Sequence, residues 1–147
     1  MKPKIIVPRP IFEETLVRLR EHFEVTDNQA DAPWTKASWM QALSQHDGAL
    51  TIGSDPVDAE VLKACPNLKA VANMAVGYNN FDVPAMTAQG VQASNTPDVL
   101  TETTADFGFA LLMATARRMA ESEHYLRRGE WTQWRYDMFA GAEVHGS

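Results

Sequence analysis

Cysteine is nearly absent from the chain, because Cys65 is the only one among 147 residues. A single thiol excludes an internal disulfide framework and suits a reducing compartment, so we expect a cytoplasmic protein. Long hydrophobic runs are also missing, since the longest, residues 107–116, is about half the length of a membrane span. The first apolar run ends at Pro8 after only three residues, which does not fit a signal peptide. The sequence therefore predicts no membrane span and no secretory leader.

Positive charge is in short supply, because 13 Lys and Arg residues against 19 Asp and Glu residues leave a formal net charge of −6. This balance disfavours a nucleic-acid partner. Several catalytic and phosphate-binding motifs are missing as well, namely the G-x-S-x-G nucleophile turn, the Walker loop and the G-x-G-x-x-G fingerprint. The four histidines are scattered, and none has the spacing of a metal ligand. We therefore assign no catalytic residue and no metal ligand.

Short apolar runs alternate with amphipathic segments over the first part of the chain, and they predict strands at 4–7, 24–26, 49–52, 69–74 and 91–93. We predict a helix between each pair of strands, with Thr35 capping the second helix and residues 54–56 opening the third. Such alternation is typical of an α/β protein whose parallel sheet has helices on both faces. Right-handed crossovers then give a doubly wound, flavodoxin-like sheet of five strands in the order 2-1-3-4-5.

The pattern changes after this flavodoxin-like domain, which we place at residues 1–100. A long C-terminal helix is predicted over residues 101–128, apolar on most faces in its first half and charged in its second half. Residues 129–147 contain Trp131, Trp134 and other aromatic residues without clear periodicity, and we interpret this segment as an extended arm. A helix that is apolar on most faces needs cover, so the segment predicts a contact with another protein surface.

The loop between the fourth strand and the fourth helix, residues 75–80, is the most suggestive candidate site. Open parallel sheets bind ligands at the carboxyl ends of their strands, where this loop is predicted to lie. Gly77 lets a ligand approach the backbone, and successive free N–H groups can hold an anion. The alternative interpretation is a plain strand-to-helix turn.

Four segments together resemble the NAD(P)-dependent D-2-hydroxyacid dehydrogenases, and the resemblance covers the whole chain. The closest branch looks like the bacterial glyoxylate/hydroxypyruvate reductases, also called 2-ketogluconate reductases. Asn79 departs from the family pattern, because many relatives have Asp at this position. The segments are MAVGYNNFDV (74–83), NTPDVLTETTAD (95–106), ATARR (114–118) and GEW (129–131).

The resemblance implies that this chain corresponds to the N-terminal part of such an enzyme. Residues 1–100 would be the substrate domain, residues 101–128 the inter-domain and dimerisation helix, and residues 129–147 the dimerisation arm. The Rossmann cofactor domain would lie beyond Ser147, together with the family's catalytic arginine, glutamate and histidine. NAD(P) is therefore expected for the full-length relative and no cofactor for this chain alone.

The resemblance also implies roles for individual residues. The backbone of Val76 and Gly77 would bind the substrate carboxylate, and Gly53 and Ser54 would line the same pocket. Asn95 and Thr104 would approach the cofactor. Trp134 would lie in the arm that reaches a partner subunit.

We consider three functions. The first is a substrate-domain fragment of an oxidoreductase that reduces a small 2-oxo acid, glyoxylate or hydroxypyruvate, to the D-2-hydroxy acid with NAD(P)H, and that is inactive alone. The second is a stand-alone flavodoxin-like module that forms a homodimer through the helix at 101–128, which two protomers could exchange. The third is a small-molecule binding module that holds anions weakly at Val76 and Gly77.

Overall fold

The computed structural model describes residues 1–146 and contains a five-stranded parallel sheet in the order β2-β1-β3-β4-β5. This strand order and the α/β class confirm the prediction. The predicted ends of each strand lie within about one residue of the observed ends, because the β-branched runs stop at turn residues. The strands are β1 (Lys4–Val7), β2 (Glu24–Asp27), β3 (Gly48–Thr51), β4 (Ala70–Asn73) and β5 (Gln92–Ser94).

Four helices connect these strands: α1 (Glu13–His22), α2 (Lys36–Leu43), α3 (Ala59–Ala64) and α4 (Val83–Gln89). The main core lies between the sheet and the layer of α2, α3 and α4. Ile6, Ala49 and Val71 point into it from the three central strands, and Leu43 and Leu62 meet them from the helices. Right-handed crossovers place α1 on the opposite face of the sheet. This arrangement brings the loops after β3 and β4 to the same edge of the sheet.

Two helix starts illustrate local control by capping. Thr35 caps α2 as predicted, since its side chain accepts a hydrogen bond from the Ser38 N–H in a reciprocal capping box. The prediction for α3 was wrong: the helix begins at Ala59, with Asp58 as its N-cap. A hydrogen bond from the Lys36 ammonium lowers the pKa of Asp58 and keeps this cap charged. Asp55 lies instead in the loop after β3, where the Ile52 N–H donates to its carboxylate.

The chain divides into two compact units, Met1–Asp98 and Val99–Ser147. The second unit contains two helices, α5 (Thr101–Ala116) and α6 (Met119–Arg127), and not the single helix predicted over 101–128. The break is at Arg118, whose φ of 52° is left-handed. Arg118 is held in place by two hydrogen bonds to Glu121 and by its position over the Phe139 ring, 5.4 Å from the ring centroid.

The segment after α6 also differs from the predicted extended arm. Residues 129–146 contain no helix or strand, and they return to the end of α5, where the Ala142 N–H donates to the Ala116 carbonyl at 2.8 Å. This bond satisfies one of the carbonyls that a helix leaves unpaired at its C-terminus. Gly141 allows the approach, since a Cβ there would collide with the Ala116 carbonyl oxygen. In residues 1–146, no helix is long and apolar enough to cross a membrane.

Candidate functional site

The candidate site lies in the first unit, where the loops after β3 and β4 meet. Gly53 and Ser54 follow β3, and Val76 and Gly77 follow β4, its neighbour in the sheet. All four residues are exposed. A Cβ on Gly53 would lie 4.0 Å from the Cβ of Ala75, so the two loops are in van der Waals reach of each other. The structure thus brings together the four predicted substrate-binding residues, whose role in binding stays a prediction.

The loop after β4 presents backbone donors and hides its acceptors. The Val76 carbonyl accepts a hydrogen bond from Asn95 Nδ2 at 2.8 Å, and the Gly77 carbonyl accepts one from Asn73 Nδ2 at 2.8 Å. By contrast, no acceptor within residues 1–146 is in hydrogen-bonding geometry with the Val76 or Gly77 amide N–H. Exposed backbone donors that lack protein acceptors suit an anionic ligand.

A cluster of polar side chains connects this loop by hydrogen bonds to the ends of β3 and β4. Thr51 and Asn73 are the last residues of β3 and β4 and are paired across the sheet. The Thr51 hydroxyl donates to Asn73 Oδ1 at 3.0 Å, and Asn73 Nδ2 donates to Asn80 Oδ1 at 3.2 Å. Asn80 Nδ2 donates in turn to the carbonyls of Ile52 and Asp55 at 3.2 and 2.9 Å. The cluster therefore ties the end of β3 to both ends of the loop at 75–80.

Asp55 is a buried carboxylate next to the exposed loop, with only 5% of its side chain accessible. Arg9 Nε donates to its Oδ1 at 3.0 Å, and the Ile52 N–H donates to its Oδ2 at 2.9 Å. Because Asp55 is paired with a cation, its charge does not oppose an anion at the neighbouring amides. Arg9 and Asp55 also line a cavity of about 170 Å³ beside Ser54.

This cluster was not predicted from the sequence. Asn80 follows Asn79 and Asp55 follows Ser54, and such polar pairs near Gly or Pro are ordinarily interpreted as loop residues, whereas Asn73 is a single polar residue in an apolar segment. Asn73 nevertheless closes a buried strand, which places its side chain in the core unless the strand ends earlier. That position was the one signal that could have indicated a buried hydrogen-bonding role.

Of the three remaining predicted residues, Asn95 contacts the loop after β4, and the other two belong to the second unit. Thr104 and Trp134 belong to the second unit, where Thr104 lies in the first turn of α5 and the Trp134 ring meets Tyr136 edge-on at 4.4 Å. Asn95 lies in the first unit, directly after β5, and its amide binds the Val76 carbonyl. The roles of these residues toward a cofactor or a partner subunit stay predictions.

The residues of this chain do not fit a dinucleotide site of the Rossmann type. Such a site needs a glycine-rich turn between a strand and a helix, and the sequence contains no G-x-G-x-x-G. The Asn95 side-chain amide already donates to a backbone carbonyl. No group of three or more potential metal ligands occurs within the described part of the chain. Cys65 is buried, and burial raises the pKa of its thiol, which disfavours the reactive thiolate.

A family model, "D-isomer specific 2-hydroxyacid dehydrogenase, catalytic domain", matches residues 5–131. The glyoxylate reductase of Korarchaeum cryptofilum is 46% identical over 147 residues, which cover 99% of this chain and 44% of that protein. The glyoxylate/hydroxypyruvate reductase B of Klebsiella pneumoniae is 41% identical and is covered to 45%. The chain therefore belongs to the family of D-isomer specific 2-hydroxyacid dehydrogenases, and it spans about 45% of the length of these curated relatives.

Solved structures agree with this assignment. The NADPH-dependent glyoxylate/hydroxypyruvate reductase of Sinorhizobium meliloti, in complex with citrate, matches with a TM-score of 0.75 at 34% identity. That match covers 99% of this chain and 44% of the Sinorhizobium chain. The TT0316 protein of Thermus thermophilus matches with a TM-score of 0.85 at 33% identity, over 96% of this chain and 45% of that chain.

Replacing Asn80 by alanine tests the buried cluster. We expect Asn80→Ala to lower the free energy of unfolding by about 1–3 kcal/mol, because it leaves the Ile52 and Asp55 carbonyls without this donor. Asn79→Ala is the matched control, since Asn79 is exposed, and it should change stability by less than about 0.5 kcal/mol. The measurement is urea unfolding at neutral pH. Equal stability of the two variants would contradict the structural role of Asn80.

Proposed function

We propose that this chain is the substrate-binding portion of an oxidoreductase that reduces a small 2-oxo acid, such as glyoxylate or hydroxypyruvate, to the D-2-hydroxy acid. NAD(P)H would supply the hydride in the whole protein, and its binding site would lie outside this chain. The chain itself would hold the substrate carboxylate at the Val76 and Gly77 amides. The buried, unpaired Cys65 is consistent with the reducing cytoplasm as the proposed compartment.

The observation that carries this proposal is the exposed pair of Val76 and Gly77 N–H groups, for which residues 1–146 provide no hydrogen-bond acceptor. A carboxylate offers two oxygens that can each accept a hydrogen bond from one amide. Hydrogen bonds to a charged group contribute about 1.5–3 kcal/mol each, so two of them support an affinity on the order of 1 mM. The names of the relatives, glyoxylate reductase and glyoxylate/hydroxypyruvate reductase, identify 2-oxo acids as the class to test.

Titration with oxalate, a stable analogue of glyoxylate that carries carboxylates, tests the binding role. We expect the largest shifts of backbone amide resonances at Val76 and Gly77, with smaller shifts at Gly53 and Ser54 in the neighbouring loop after β3. The measurement is a ¹⁵N–¹H correlation spectrum at increasing oxalate. Sodium chloride at equal ionic strength is the control, because it separates a specific contact from a salt effect. Shifts confined to other parts of the chain would overturn the proposed site.

We expect the 147-residue chain alone to show no turnover when mixed with glyoxylate and either NADH or NADPH. The reason is that the cofactor carries the hydride, whereas the residues of this chain do not fit a dinucleotide site. Absorbance of the reduced nicotinamide at constant temperature is the measurement. A full-length relative from the same family is the positive control. Oxidation well above the rate without chain would contradict this expectation.

Self-association is a second candidate property, and the surface of α5 favours it. None of the residues Thr101–Ala116 is buried. Phe107 is 64% exposed, and Leu112 is 51% exposed. Burying side chains of this size contributes about 1.5–3 kcal/mol each, so an exposed row of them favours a homodimer. We propose that α5 lies at the dimer interface, with exchange of the helix between protomers as one way to bury it.

Light scattering tests the homodimer. We expect a dimer mass for the wild-type chain, and a dimer dissociation constant at least about tenfold larger for Leu112→Arg, since a buried charge in the interface costs more than about 1.4 kcal/mol. Thr103→Arg is the matched control, because Thr103 is an exposed polar position on the same helix. A monomer at high concentration would remove the proposal, and equal effects of both variants would exclude the apolar face as its basis.

A further inference from the structure

Asn95 follows β5 directly, and its side chain forms a hydrogen bond to the candidate substrate loop after the neighbouring strand β4. Its Nδ2 donates to the Val76 carbonyl at 2.8 Å. The next residue supplies a second anchor, because the Thr96 N–H donates to the Ala75 carbonyl at 3.0 Å. Two consecutive carbonyls of the loop are thus bound by one short segment, Asn95–Thr96.

Because the peptide bond is planar, the two bound carbonyls also fix the directions of the Val76 and Gly77 N–H groups. In a trans peptide, the carbonyl of one residue and the N–H of the next residue point in opposite directions. The described residues contain no cis peptide bond. Fixing the Ala75 carbonyl therefore fixes the Val76 N–H, and fixing the Val76 carbonyl fixes the Gly77 N–H. Both N–H groups point away from the Asn95–Thr96 segment.

The order of the strands determines which segment lies on the side of the loop that these N–H groups face. The sheet runs β3-β4-β5, so the loop after β4 lies between the loop after β3 and the segment after β5. An N–H directed away from Asn95–Thr96 is directed toward the side of β3, whose following loop is within van der Waals reach of Ala75 at Gly53. The two anchors therefore orient both donors toward that side before any ligand arrives.

We propose that Asn95 is a positioning residue that orients the Gly77 N–H for a carboxylate bound at the loop after β4; the proposal rests on the proposed function of the site. Without the Asn95 amide, the peptide between Val76 and Gly77 loses the hydrogen bond to its carbonyl. Gly77, which has no Cβ, offers little steric resistance to rotation of that peptide. A donor that must be oriented on binding contributes less affinity than a preorganised one. Asn95 acts here on the substrate loop of its own unit, whereas the family resemblance places it toward the cofactor.

The test compares oxalate binding by the wild-type 147-residue chain with binding by Asn95→Ala. We expect the dissociation constant for oxalate to rise about fivefold, because one oriented hydrogen bond of about 1 kcal/mol loses most of its contribution. The ligand-free Gly77 amide resonance should also move. Asn79→Ala is the matched control, since it removes an exposed amide from the same loop, and it should bind oxalate as the wild type does. Thermal unfolding midpoints should agree within about 3 °C, which separates positioning from loss of fold.

The outcomes separate the two proposals. If the wild type binds oxalate at Val76 and Gly77 and Asn95→Ala binds equally well, the positioning role is wrong and the proposed site stands. If the wild type does not bind oxalate there, the proposed function fails and the positioning role fails with it. If Asn95→Ala unfolds, Asn95→Leu replaces it, because leucine has nearly the shape of asparagine and no donor. Unchanged affinity in Asn95→Leu then overturns the inference.

Discussion

The hydrogen-bonded amide pair of Asn73 and Asn80 is the interaction on which the candidate site depends. Asn73 is only 1% exposed, so each of its polar atoms must find a partner inside the protein. Its Nδ2 reaches both Asn80 and the Gly77 carbonyl, and its Oδ1 accepts from the Thr51 hydroxyl. The Asn73 side chain thereby connects the end of β3 at Thr51, the segment before α4 at Asn80 and the exposed loop at Gly77. Because a lost partner in such a cluster costs the full desolvation of the other, the cluster restricts the positions of Gly77 and Asn80.

The sheet could be predicted from the sequence because its signals are local. Apolar runs alternate with capped amphipathic segments, and the handedness of crossovers restricts the strand order. The amide pair could not be predicted in this way, since the pairing of Asn73 with Asn80 depends on how the loop between them folds back. The break at Arg118 was missed for a related reason. Arginine is a good helix former, and the contacts that stabilise the left-handed conformation come from Glu121 and the distant Phe139.

The two units differ in how much of their apolar side-chain surface is buried. The first unit buries its apolar side chains between the sheet and three helices, with Leu43, Val57 and Val61 fully enclosed. The second unit leaves Phe107, Phe109 and Leu111 more than half exposed along α5. The chain thus combines an α/β unit that has a buried apolar core with a helical unit whose apolar side chains stay largely exposed.

In the proposed function, the candidate site would bind its ligand through main-chain atoms at Val76 and Gly77. Every amino acid except proline has the same backbone N–H donor. A substitution at position 76 by any other residue would therefore change the side chain beside the loop and keep the donor. Backbone amides also carry no ionisable proton in the physiological range, so acidification leaves them unchanged. If the proposed function holds, substitutions around this loop would change which substrates fit, while the two main-chain donors would continue to bind the carboxylate that those substrates share.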